Sequence, residues 1–140
     1  MIGMTQIAQA VVDELNADVF TQPFTAARSY LPQTELSEMV DLHVTVVPKA
    51  ETVESAGRGS GQYEYSLDIA VQKRCQDDTE IDGLLALAEE IGRFFCRRRL
   101  ANVPEAIWVK TEHGHLYAPE HLAQLHQFTS VLTLTFRVIQ

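Results

Sequence analysis

The sequence predicts an α+β fold, with a mainly antiparallel or mixed sheet flanked by two principal helices, and three observations predict it. Two stretches, one near the start and one at 77–100, carry apolar residues at three- and four-residue steps. Several runs alternate apolar and polar residues with the period of a half-buried strand. These runs lie on both sides of the longer helical stretch, so its apolar stripe covers a sheet assembled from both halves of the chain.

In order, Met4, Ile7, Ala8, Val11 and Leu15 define a first amphipathic helix over roughly residues 4 to 16, with Thr5 as its cap. Pro23 and Pro32 bracket Phe24 to Leu31, which favours an extended segment. Residues 34–39 form a short polar connection with room for a helical turn. Val40, Leu42, Val44 and Val46 alternate with Asp41, His43 and Thr45 as a strand that Pro48 ends. Tyr63, Tyr65, Leu67, Ile69 and Val71 alternate in the same way, and the two runs pair as a hairpin. Between them lies 49–62, whose glycines at 57, 59 and 61 predict a flexible, protruding hairpin loop that only a partner would order.

The stretch Asp77–Leu100 reads as one helix. Thr79 or Asp78 caps it, Asp77, Asp78, Glu80 and Asp82 place negative charge at its positive end, and Arg97, Arg98 and Arg99 complement the other end. Its stripe is Ile81, Leu84, Leu85, Ala88, Ile91 and Phe95. Ile107–Thr111 is a further strand, 112–127 is open between loop and short helix, and 128–139 is a strand with Leu132, Leu134, Phe136 and Val138 on one face. With no repeat and no linker, residues 1–140 form a single domain.

Composition narrows the function. A formal charge of −8, from 19 acidic and 11 basic residues, opposes general attraction to nucleic acid phosphates. Neither a membrane-spanning apolar run nor a secretory leader is legible, so a cytoplasmic site of synthesis and no membrane partner are expected. Cys75 and Cys96 are too far apart for a CxxC motif.

Candidate chemical sites reduce to structural readings. His113, His115, His121 and His126 would be the ligands of a small zinc-dependent enzyme, but their spacing is not a recognised zinc signature. Gly57–Gly61 lacks the Lys-Ser or Lys-Thr ending of a phosphate loop and no helix follows it. No nucleophile elbow surrounds any serine. No catalytic residue, cofactor or metal ligand is therefore assigned.

Three stretches, Phe24–Pro32, Asp41–Pro48, and Tyr65–Arg74 continuing into Ile81–Leu84, together resemble the small neck and tail-completion proteins of long-tailed bacteriophages, and most of all the tail terminators. The resemblance implies a virion structural protein, made in the host cytoplasm. It implies a subunit of a ring, commonly a hexamer, that caps the tail tube, stops its growth and offers the surface to which the head attaches. Its partners would be copies of itself, the tail tube protein and a head-completion or neck protein, and DNA would pass through without being read. Another neck or head-tail connector protein is the neighbouring reading. A ring subunit presents two complementary patches. Arg97, Arg98, Arg99 and Arg58 are the candidates for one, and Glu51, Glu54, Asp77 and Asp78 for the other.

Overall fold

The computed structural model describes residues 1–30 and 41–140. Among them the chain forms, in order, α1 (Met4–Ala17), β1 (Ala26–Arg28), β2 (His43–Gly57), β3 (Ser60–Arg74), α2 (Asp78–Phe94), β4 (Ile107–His115), α3 (Pro119–Leu125) and β5 (Gln127–Ile139). The turn expected within 34–39 lies outside the described residues. The strands join in one sheet of order β1-β2-β3-β5-β4, in which β1 runs parallel to β2 and every other pair is antiparallel. The sheet is thus mixed, and the fold is α+β.

Alternation sorts the sheet into two faces. On one, Val44, Val46, Leu67, Ile69, Leu132, Leu134 and Phe136 are buried, in register across β2, β3 and β5. The first helix, α1, lies over β1 and β2, and α2 lies over β5 and β4. Ile7, Val11 and Leu15 from α1, and Leu84, Leu87, Ile91 and Phe95 from the second helical segment, complete a single core. Leu87 escapes the sequence stripe although it is 1% exposed, whereas the expected Leu85 is only half-buried. The stripe is rotated because α2 must also reach β4.

Caps and ends depart from expectation in instructive ways. Asp77, and not Thr79 or Asp78, caps α2: its carboxylate accepts the Glu80 N–H at 2.9 Å. The helix ends at Phe94 with Phe95 as its C-cap, and Arg97 takes φ +59°, a left-handed conformation that stops propagation before Leu100. At α1 the cap is Gly3, not Thr5, and the Gly3 N–H donates to Gln6 Oε1 at 2.9 Å.

Two corrections concern β2. Pro48 does not end it: the strand continues to Gly57, and a register shift between Pro48 and Ala50 accommodates a residue that has no N–H to give. Segment 49–62 is therefore not a loop. Ala50 to Gly57 pair with Ser66 to Ser60, leaving only Arg58 and Gly59 as the turn, where Gly59 has φ +74°. The glycines mark a tight turn, and Thr52 and Val53 supply the β-branched residues that the strand wants. The ambiguous stretch after Thr111 resolves as the end of β4 followed by α3.

Polar ties fix the elements to one another. The Asn16 side chain bonds both main-chain groups of Ala26, accepting its N–H at 2.8 Å and donating to its carbonyl at 3.1 Å, so α1 carries β1 to the sheet. Gln140 does the same for Ile2, accepting at 2.9 Å and donating at 3.0 Å, which joins the two ends of the described chain. Glu14, 7% exposed, accepts from Arg98 Nε at 2.9 Å and from the Ala101 N–H at 2.7 Å, locking α1 to the turn after α2. At Gly92 the chain makes room for His113: a Cβ there would sit 2.7 Å from the imidazole Nε2.

Three outcomes follow from this packing. Replacing Leu84 or Ile91 by Asp places an unpaired charge in the core and should abolish cooperative folding, checked by thermal melts of the refolded chain. Glu14→Ala should cost about 1–3 kcal/mol in urea titrations, since the Arg98 and Ala101 donors lose their acceptor, while Arg99→Ala should stay within about 0.5 kcal/mol. Burial pushes the His113 imidazole below its usual range, with Glu89 opposing and Arg93 adding to the shift. Its neutral form therefore suits the fold, and the unfolded chain takes the proton first. Stability carried by this residue is present above the ordinary histidine value and is lost as pH falls through the folded one. A His113→Gln variant should show a flatter stability profile between pH 7.5 and 5 in the same titrations.

Candidate assembly surface

A sheet of this order has two outer edges, and here both are long. From Val47 to Gly57, β2 pairs with β3 alone, because β1 covers only Val44 to Val46. At the opposite side, β4 pairs with β5 alone. Among the described residues, both edges leave a row of main-chain donors and acceptors without sheet partners.

The two edges differ in chemistry. On the outer half of β2, Glu51 and Val53 lie opposite Tyr65 and Tyr63, on the helix side of the sheet, and Thr52 and Glu54 point to the other side. Val53 is 51% exposed. Glu51 joins burial in pushing up the Tyr65 phenol, burial being the larger cause. That phenol donates to the Ile2 carbonyl at 3.0 Å.

At the β4 edge, Arg97, Arg98 and Arg99 meet Ala106, Ile107 and Trp108 around a recess of about 350 Å3. Arg98 is the tethered member of the three: besides bonding Glu14, its guanidinium stacks 3.9 Å from the Phe94 ring centre. Arg97 and Arg99 are exposed and form no ion pair among the described residues. Ile107, 55% exposed, leaves an apolar patch beside them. Trp108 is anchored by donation from Nε1 to Thr111 Oγ1 at 3.0 Å.

Register shows how the predicted residues fall. Glu51 pairs with Tyr65, Tyr65 with Phe136 and Phe136 with Trp108, so the acidic edge and the basic recess occupy one row, on opposite sides of the sheet. Arg58 sits in the turn beyond Glu54, apart from the arginine run with which it was grouped. Asp77 and Asp78 start α2 after the far end of β3, at the other end of the sheet from Glu51 and Glu54. The structure thus brings Arg97–Arg99 together with Trp108 and leaves Asp77 and Asp78 to the helix terminus.

The face away from α1 and α2 is a ladder of polar cross-strand pairs. Glu64 accepts from Arg137 at 2.8 Å, Ser66 and Thr135 hydroxyls meet at 3.1 Å, and Thr133 donates to Asp68 at 2.6 Å, with Lys49 at 3.9 Å from the same carboxylate. Lys110 and Glu112 pair at 2.6 Å near the β4 edge, which raises the ammonium's pKa and lowers the carboxyl's. Beside the ladder, Tyr117, Pro119, Val131 and Asp68 border an open cleft of about 540 Å3.

The histidines are dispersed. His113 faces α2, His121 bonds Thr129 Oγ1 at 2.9 Å by Nδ1, and His126 is the left-handed C-cap of α3 at φ +51°. Among the described residues no three of His, Cys, Asp or Glu converge as a metal-binding group. The exposed Cys96 shares a recess with His113, and its thiol donates to the Gly92 carbonyl at 3.5 Å. Burial raises the pKa of the other thiol, Cys75.

Sequence reasoning missed Ile107 and Trp108 as parts of this surface. Their signal was the adjacency of an apolar strand start to a basic helix end, hidden by the intervening turn at 100–106.

No helix among the described residues is long and apolar enough to cross a membrane. No protein-family model matches the chain, and no curated protein matches it. In fold it is similar to solved structures, with 31 matching chains. One of these, which carries only a sequence identifier as its description, aligns with 96% of this chain and 91% of its own length at 16% identity, with a TM-score of 0.51. At that identity the likeness speaks for the fold alone.

Proposed function

We propose that the chain is a ring-forming structural subunit of a long-tailed bacteriophage, a tail terminator that caps the tail tube and offers the surface for head attachment. The observation that carries this reading is the pair of chemically unlike sheet edges, unpaired among the described residues, on opposite sides of one domain. Unlike edges favour head-to-tail contact, and head-to-tail contact repeated with a closing rotation makes a ring. The resemblance of Phe24–Pro32, Asp41–Pro48 and Tyr65–Arg74 to tail-completion proteins supplies the class of ring. The ring's other partners are then the tail tube protein below and a head-completion or neck protein above.

Charge suits the role. A net −8 gives DNA passing through the ring no general hold, and the polar ladder from Glu64 to Lys110 offers a hydrated surface in place of an apolar one. An adjacent neck protein would share these features, and the growing tube separates the two roles. A terminator halts tube elongation when added to tube protein in solution, whereas a neck protein leaves tube length unchanged. Phage lacking the gene should make overlong or headless tails, measured by electron microscopy of negatively stained lysates. Normal tails joined to heads would overturn the proposal.

A further inference from the structure

Resting on the ring reading, we infer that the acidic outer half of β2 in one copy docks on the arginine–tryptophan recess of a second copy, with Glu51 facing Arg97 and Arg99 on the helix side of the joined sheets. Three independent observations converge on this pairing.

The first is level. In a closed ring there is no rise from one subunit to the next, so with strands along the ring axis a row in one copy continues into the same row of its neighbour. Glu51 and Trp108 share one row through Tyr65 and Phe136, which sets the acidic edge of one copy beside the recess of the next without a shift.

Direction is the second. Neighbours alternate from β2 through β3 and β5 to β4, so β4 runs opposite to β2. A rotated copy therefore brings its β4 antiparallel to β2, the arrangement in which edge main-chain groups pair most directly.

Chemistry is the third. Glu51 and Val53 project to the helix side, where the turn after α2 holds Arg97 and Arg99. Neither these arginines nor Glu51 have an ion-pair partner within the described chain. Arg98 is already committed to Glu14, so two of the three arginines remain for the neighbour. Val53, more than half exposed on the same side as Glu51, adds apolar surface beside the charges, whereas Ile107, opposite Arg137, belongs to the other face.

Exposed charge pairs contribute little singly and mainly set register and association rate. Arg97→Glu with Arg99→Glu should therefore weaken self-association about tenfold or more at low salt, and Glu51→Arg should do the same, while melts of both stay near the wild type. All three changes in one chain should restore assembly, as should mixing the two variants, which would then alternate around the ring. The readout is oligomer mass by sedimentation at a series of salt concentrations. Assembly undiminished in R97E/R99E, or no rescue in the threefold variant, overturns the docking while wild-type rings leave the terminator reading standing. Undiminished assembly with lost retention of duplex DNA would assign the arginines to phosphates, and the docking fails. A wild-type chain that stays monomeric, alone and with tail tubes, overturns both.

Discussion

The pairing of β3 with β5 is the constraint on which the rest of the structure depends. It runs unbroken from Gln62 opposite Ile139 to Arg74 opposite Gln127, and Gly61 and Gln140 extend it with two more main-chain bonds. Because side chains alternate strictly, this one register decides which residues of both strands meet the helices. Leu67, Ile69, Leu132, Leu134 and Phe136 go to the core, and Glu64, Ser66, Asp68, Thr133, Thr135 and Arg137 to the opposite face. A slip of β5 by one residue would turn Thr133 and Arg137 to the core and expose Phe136. The cross-strand pairs on the polar face, Glu64 with Arg137 and Asp68 with Thr133, oppose that slip from the other side.

With the centre fixed, the two outer strands inherit different liabilities. A long open edge invites indiscriminate pairing, and proteins commonly guard such edges with charge, proline or bulges. The β2 edge carries all three, in Lys49, Glu51 and Glu54, in Pro48, and in the register shift beside it. These devices do not close the edge. The unpaired Glu51 there favours a partner that brings positive charge, which an edge left entirely apolar would not do.

How much of this was legible follows from the range of each interaction. Periodicity found β3, β5, α1 and α2 because their faces are fixed by the core, a property that every few residues repeat. Local chemistry was harder to weigh. Glycines at 57, 59 and 61 suggested a loop, yet only the turn at Arg58 and Gly59 needed them, and Pro48 looked like an end because a strand edge that tolerates it is a tertiary fact. The arginine run could be read as a patch, but not that Arg98 is tied to α1. Its partner, Glu14, lies 84 residues away and is the one buried acid of α1, where the helical pattern gives no reason for a carboxylate.

In the proposed docking, that carboxylate connects folding to assembly. Glu14 holds the turn after α2 by Arg98 and Ala101, and the same turn presents Arg97 and Arg99 to the outside. Were the turn free, three long cations would lose side-chain entropy on docking and return little for it. Fixed at its middle residue, and with Arg97 already in a left-handed conformation, the turn holds the recess against Trp108 before a partner arrives. An internal ion pair of modest value thus makes the flanking charges count, because a preorganised surface spends less of its attraction on ordering itself.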